Sequence, residues 1–120
     1  MLKRPPDFLA EVSFLAHEQG GRLAQPLQGY RPDIHYDEDP PGQAWMVWPR
    51  FLATDGVELP DGTVIPPKCE ANFYIVDDEM RQEVHLGRLR RGTHFNIVEG
   101  RRVVASCIVK QLLSLRTNAA

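Results

Sequence analysis

Read for polarity, the chain breaks into short apolar runs separated by prolines, glycines and charged clusters. Residues 8–16 mix alternation with β-forming side chains and stop at Gly20-Gly21, which predicts a first strand with Phe8, Val12 and Phe14 on one face. Tyr30-Arg31-Pro32 opens an extended segment, because the residue before a proline is driven toward β or polyproline geometry, and residues 34–36 continue it. In residues 44–53, Trp45, Val47 and Phe51 alternate against Trp48, predicting a third strand with Trp48 on the opposite face. Pro49 removes a ladder donor, so that strand is expected at an edge or bulged there.

Asp55-Gly56, Asp61-Gly62 and Pro66-Pro67 then punctuate a loop with at most a short strand at residues 63–65. Residues 70–76 read as a strand closing on the acidic turn Asp77-Asp78-Glu79. Residues 81–89 read either as a strand with Val84 and Leu86 on one face or as an irregular basic connection. The clearest signal is a hairpin: residues 94–98, a Glu99-Gly100 turn, and a Val- and Ile-rich run over 102–113. Residues 117–120 are expected to fray. Ten prolines and nine glycines leave little room for long helices, and six or so short strands suggest an all-β barrel or sandwich.

Composition narrows this picture without changing it. A length of 120 residues fits one domain, since chains of this size bury roughly two-thirds of their unfolded surface. Hydrophobic content of 42% and charged content of 25% are ordinary, and no apolar run approaches the roughly 20 residues that span a bilayer. Pro5-Pro6 stands where a secretory signal needs its apolar stretch, so no membrane partner and a cytoplasmic location are expected. Cys69 and Cys107 lack Cys-x-x-Cys spacing and read as reduced thiols. Fourteen Lys and Arg against 16 Asp and Glu argue against a strongly basic nucleic-acid binder. The charge is uneven, with six arginines between Arg81 and Arg102 and acids clustered at Asp33 and at residues 37–39.

Two groups of residues at opposite ends carry a family resemblance. Glu11-Val12, Glu18, Gly20-Gly21-Arg22 and Gly29-Tyr30-Arg31-Pro32 come first; Phe95, Ile97, Glu99-Gly100, Arg102, Val104 and Val109 follow far downstream. Together they resemble the C-terminal β-barrel domain of elongation factor Tu, over residues 11–113, with a longer middle matched through Leu59-Pro60, Gly62 and Pro66. The resemblance implies an all-β, six- to seven-stranded antiparallel barrel occupying the chain as a single domain. It implies an architectural role for Gly20, Gly21, Gly29, Tyr30, Arg31 and Pro32, the last three forming a barrel corner. In that family the domain packs on a GTPase domain and touches the T-stem backbone of aminoacyl-tRNA, so contact positions at Arg22, Asp33, Glu99 and Gly100 are implied here. The sequence departs from the family at Asp33, an acid in place of a neutral amide, and at Arg101, Ala105 and Cys107, which replace glycines. No Gly-x-x-x-x-Gly-Lys-Ser/Thr loop occurs, so neither nucleotide binding nor GTP hydrolysis is expected.

The remaining chemistry is sparse. Arg88, Arg90, Arg91, Arg101 and Arg102 could form a phosphate-facing ridge, or could be solvated or paired with Asp77, Asp78 and Glu79. With Arg22, Glu99 and Gly100, the pair Arg101 and Arg102 are the candidate RNA contacts. His17, His35, His85 and His94 lack the close spacing of a metal site, and no cofactor is implied. Glu83 and His85, two apart, would share a strand face near Asp77 and Asp78 and could serve acid/base chemistry. Ser106-Cys107 reads as small residues packing in a barrel wall. Trp45, Trp48 and Phe51 are the candidate protein contacts, because a tryptophan on the outer face needs a cover. The expectation is a non-catalytic binding module with a protein partner. An RNA-binding module on a tRNA-like backbone is the alternative, and a small enzyme is the third option.

Overall fold

In a computed structural model describing residues 4–120, the chain closes into an antiparallel barrel of six strands in the order β1-β4-β3-β2-β5-β6. Met1, Leu2 and Lys3, which open the segment read above for a secretory signal, lie outside the described residues. The strands are β1 (Phe8–Phe14), β2 (Asp33–Tyr36), β3 (Trp45–Leu52), β4 (Lys68–Ile75), β5 (His94–Glu99) and β6 (Arg102–Leu112). Each matches an expected segment, because side chains alternate across a strand and every strand carries an apolar inner row. Phe8, Ala10 and Val12 of β1 meet Val47 and Phe51 of β3, Phe73 of β4 and Phe95 of β5 in one core. Phe8 stacks on Phe73 at 4.9 Å between ring centroids, and Phe95 meets Phe73 edge-on at 5.4 Å.

The barrel is closed, yet Pro49 still sits on an open flank. β2 reaches only Trp45 and Met46 of β3, and residues 57–59 bridge only its far end at Phe51 and Leu52, leaving the middle of that side without a strand partner. Gln28 fills part of the gap: its side-chain Nε2 donates to the Phe51 carbonyl at 3.0 Å, and its Oε1 accepts from the Phe51 N–H at 3.1 Å. The period of two puts the donor missing at Pro49 on this same flank, where no ladder bond is lost.

Residues 81–89 are neither strand nor irregular. They belong to a helical segment built from α1 (Asp78–Met80), a π-helical stretch (Arg81–His85) and α2 (Leu86–Arg88). Asp77 caps it, its carboxylate accepting from the backbone N–H groups of Glu79 at 2.9 Å and Met80 at 3.2 Å. Arg81, His85 and Leu89, four residues apart, are its buried positions, and they seal the barrel end formed by the start of β1 and the end of β4. The tail expected to fray forms α3 (Leu115–Ala119), with Leu115 and Ala119 buried.

A buried ion pair joins these pieces. Arg81 Nε donates to Asp7 Oδ1 at 2.9 Å, and its Nη2 donates to the Ile75 carbonyl at 2.6 Å. Asp7 also accepts from the Ile75 N–H at 2.8 Å and from the Asn118 side-chain amide at 3.0 Å. Removing one partner of such a pair leaves a bare interior charge, so R81M is expected to lower unfolding free energy by about 3–5 kcal/mol in urea titration. D61A, which breaks an exposed pair with Arg50, should change it by less than about 1 kcal/mol. Equal effects of the two would contradict this assignment.

Candidate functional site

The outer face of β3 and β4 carries the most unusual surface. Trp48 stands on it directly across from Tyr74, with Met46 59% and Val76 41% exposed beside them. The Arg31 guanidinium lies 4.5 Å from the Trp48 ring centroid, and that of Arg50 lies 5.7 Å away. Arg50 is held by Glu58 at 3.0 Å and Asp61 at 2.6 Å, whereas Arg31 has no acidic partner among the described residues. A cavity of about 290 Å³ opens beside Trp48, lined also by Arg4, Arg31, Tyr74 and Val76. The Trp48 indole N–H is buried without an acceptor, an unusual feature in a folded chain.

The other two aromatic candidates lie elsewhere. Phe51 is fully buried in the core, on the inner row that alternation predicts for it. Trp45 covers the helix-sealed barrel end, edge-on to His85 at 6.0 Å, with its indole N–H donating to Asp39 at 3.0 Å. Burial pushes the Asp39 carboxyl up, but the Trp45 N–H and Arg88 outweigh it and hold it below its ordinary value. Trp48 is therefore the only one of the three on the outer wall.

The resemblance residues converge at the opposite barrel end. Arg22 bonds Glu99, Tyr30 donates its hydroxyl to the same carboxylate, and the Arg22 guanidinium lies 5.3 Å from the Tyr30 ring centroid. Burial raises the Glu99 carboxyl, and the Tyr30 and Arg22 bonds more than offset it. Gly21 is compulsory here: a Cβ would stand 2.2 Å from the Leu15 carbonyl oxygen. Gly20 and Gly29 have φ of 95° and 106°, the left-handed region that favours glycine. Pro32 is buried and Arg31 points out to Trp48. Asp33 pairs with Val98, one residue from Glu99, and Gly100 forms the adjoining turn.

The arginines do not form one ridge. Arg90 and Arg91 precede β5, while Arg101 and Arg102 follow it, so the length of a six-residue strand, roughly 20 Å, separates them. Arg88 is bound to Asp39 at 2.8 Å. Glu83 and His85 are not neighbours on a face either, because the helix turns Glu83 to solvent and His85 into the core. Among the described residues, no three His, Cys, Asp or Glu side chains gather as metal ligands, and no helix is long and apolar enough to cross a membrane. Burial raises the Cys69 thiol to about 11 and pushes Cys107 up as well, so neither is poised as a thiolate.

Sequence reasoning missed the outer face of β5 and β6. Ser106 does not pack inside the wall; it points outward while Cys107 points in. Its Oγ lies 2.8 Å from His94 Nε2, and His94 Nδ1 lies 2.8 Å from Asp37 Oδ2. Only the strand register, which pairs Asn96 with Ser106 and His35 with Asn96, brings these residues together.

Fold and surface together define a small closed β-barrel with one aromatic–arginine outer face. Compared with known proteins, the chain matches no family model and no curated protein.

His85 supplies a pH signature for the sealed end. Its Nδ1 lies 2.6 Å from the Tyr36 hydroxyl, its Nε2 has no partner, and burial lowers its pKa from 6.5 to about 4. Between these values the unfolded chain binds a proton that the folded chain refuses, so stability falls as pH drops from about 6.5 to 4. H85Q is expected to flatten that slope in urea titrations across the window; an unchanged slope would contradict the assignment.

Proposed function

We propose that the chain is a binding module that contacts a protein partner through the outer face of β3 and β4, centred on Trp48. The observation that carries this reading is the outer row in which half-buried Trp48 and Tyr74 sit between exposed Met46 and Val76, flanked by an unpaired Arg31 and an adjoining cavity. Aromatic side chains and arginine dominate interface energetics, since they bury large areas and still offer a polar tip. Apolar groups stranded on an outer wall gain from being covered, by about 25 cal/mol for each Å² removed from water. Affinity capture by the wild-type chain should recover a partner that M46E and W48A both lose and that an I108E change on the opposite wall retains. The W48A change is expected to weaken affinity at least about tenfold, about 1.4 kcal/mol. Equal capture by all three variants would contradict the reading.

The resemblance to the third domain of elongation factor Tu supports a second reading, contact with a tRNA-like backbone at the end where Arg22, Tyr30 and Glu99 meet. Arg22 is already committed to Glu99 there, so phosphate binding would rest on the exposed Arg101 and Arg102 beside Gly100. Binding of a bulk tRNA pool would then fall steeply with salt and fall further in the R101E/R102E double variant. Absence of binding at low salt would remove this reading and leave the Trp48 face unaffected.

A further inference from the structure

The wall of the barrel opposite Trp48 holds a hydrogen-bonded chain of serine, imidazole and carboxylate that the binding reading does not use. Ser106 Oγ and His94 Nε2 are 2.8 Å apart, and His94 Nδ1 and Asp37 Oδ2 are 2.8 Å apart. This is the order in which a hydroxyl is activated: the carboxylate accepts from Nδ1–H, fixing the tautomer in which Nε2 faces the hydroxyl as a base. The groups are accessible, with His94 and Asp37 side chains 37% and 61% exposed. A cleft of about 250 Å³ lies beside them, lined by Asp37, Asn96, Arg101 and the loop around Gly42, with Ser106 and His94 outside that lining. Asn96 pairs directly across the ladder from Ser106, so its carboxamide shares the outer face with the hydroxyl.

We propose that Ser106, His94 and Asp37 form a nucleophilic centre on this open wall that hydrolyses carboxylic esters. Ser106 Oγ attacks the ester carbonyl carbon and passes its proton to His94 Nε2. The tetrahedral intermediate collapses by breaking the bond to the alkoxy oxygen, which leaves as an alcohol carrying that proton. Water then attacks the acyl-serine, gives its proton to His94, and the acid departs as Ser106 regains a proton. The Asn96 carboxamide, on the same face across the ladder, can donate to the carbonyl oxygen as it gains charge. Asp37 is a positioning residue that acts through His94.

The test uses the whole protein with p-nitrophenyl acetate as substrate and an alkyl fluorophosphonate as covalent probe. Intact mass should show a single adduct, which peptide mapping places on Ser106 and which S106A lacks. Ester hydrolysis should drop at least about 100-fold in S106A and in H94Q. D37N should slow labelling by at least about tenfold and D37E should restore most of it, a rescue that a purely structural aspartate would not give. No adduct on Ser106 of the wild-type chain, or hydrolysis by S106A at the wild-type rate, would overturn the proposal. Because the wild-type adduct is read without any variant, the outcome does not depend on how the substitutions fold.

Discussion

The buried pair of Asp7 and Arg81 ties four segments to one point: the start of β1, the end of β4, the helical segment after it, and α3. An unpaired charge in an interior costs several kcal/mol, so the helix cannot lift off without stranding Asp7. His85 and Leu89 are carried onto the core by the same anchoring, and they cover the open end over Tyr36. The opposite end is also closed by polar groups, the Gln28 amide on Phe51 and the carboxylate of Glu99 between Arg22 and Tyr30. Apolar rings fill the middle of the barrel, while directional polar bonds decide which segments seal it.

That division explains what the sequence reveals and what it hides. All six strands are visible in the sequence, β2 through the extended geometry that Pro32 imposes, and the β5–β6 hairpin is clearest because Glu99-Gly100 punctuates it. The helical segment is hidden because two of its three inward positions are Arg81 and His85, so its four-residue spacing carries no apolar signature. The short α3 is hidden for a related reason: Asn118 holds it through Asp7, a contact more than a hundred residues away along the chain. Side-chain clusters that depend on register are similarly invisible. His94 and Ser106 come from β5 and β6 and Asp37 from the turn after β2, and a one-residue slip of either strand would point its residue at the other face.

The candidate protein contacts were legible in part. The period of two correctly separates Trp48 from Phe51, but it cannot show that Trp45 is drawn over the barrel end by Asp39 and His85. The arginines illustrate the converse. Their crowding between residues 81 and 102 suggests a ridge, whereas the fold distributes them to a buried ion pair, a bond to Asp39 and two opposite turns. Charge density along a sequence becomes charge density on a surface only when the strands keep it on one side.

What remains free is the β3–β4 face, where Arg31 and Arg50 flank Trp48 and no segment of the described chain covers Met46. Its use as a contact surface is the central functional claim. The most direct measurement is photo-crosslinking with p-benzoylphenylalanine placed at position 46 and, separately, at position 108 on the opposite wall. Adducts to a partner protein formed from position 46 and absent from position 108 are predicted; adducts formed from position 108 alone, or equally from both, would contradict the account.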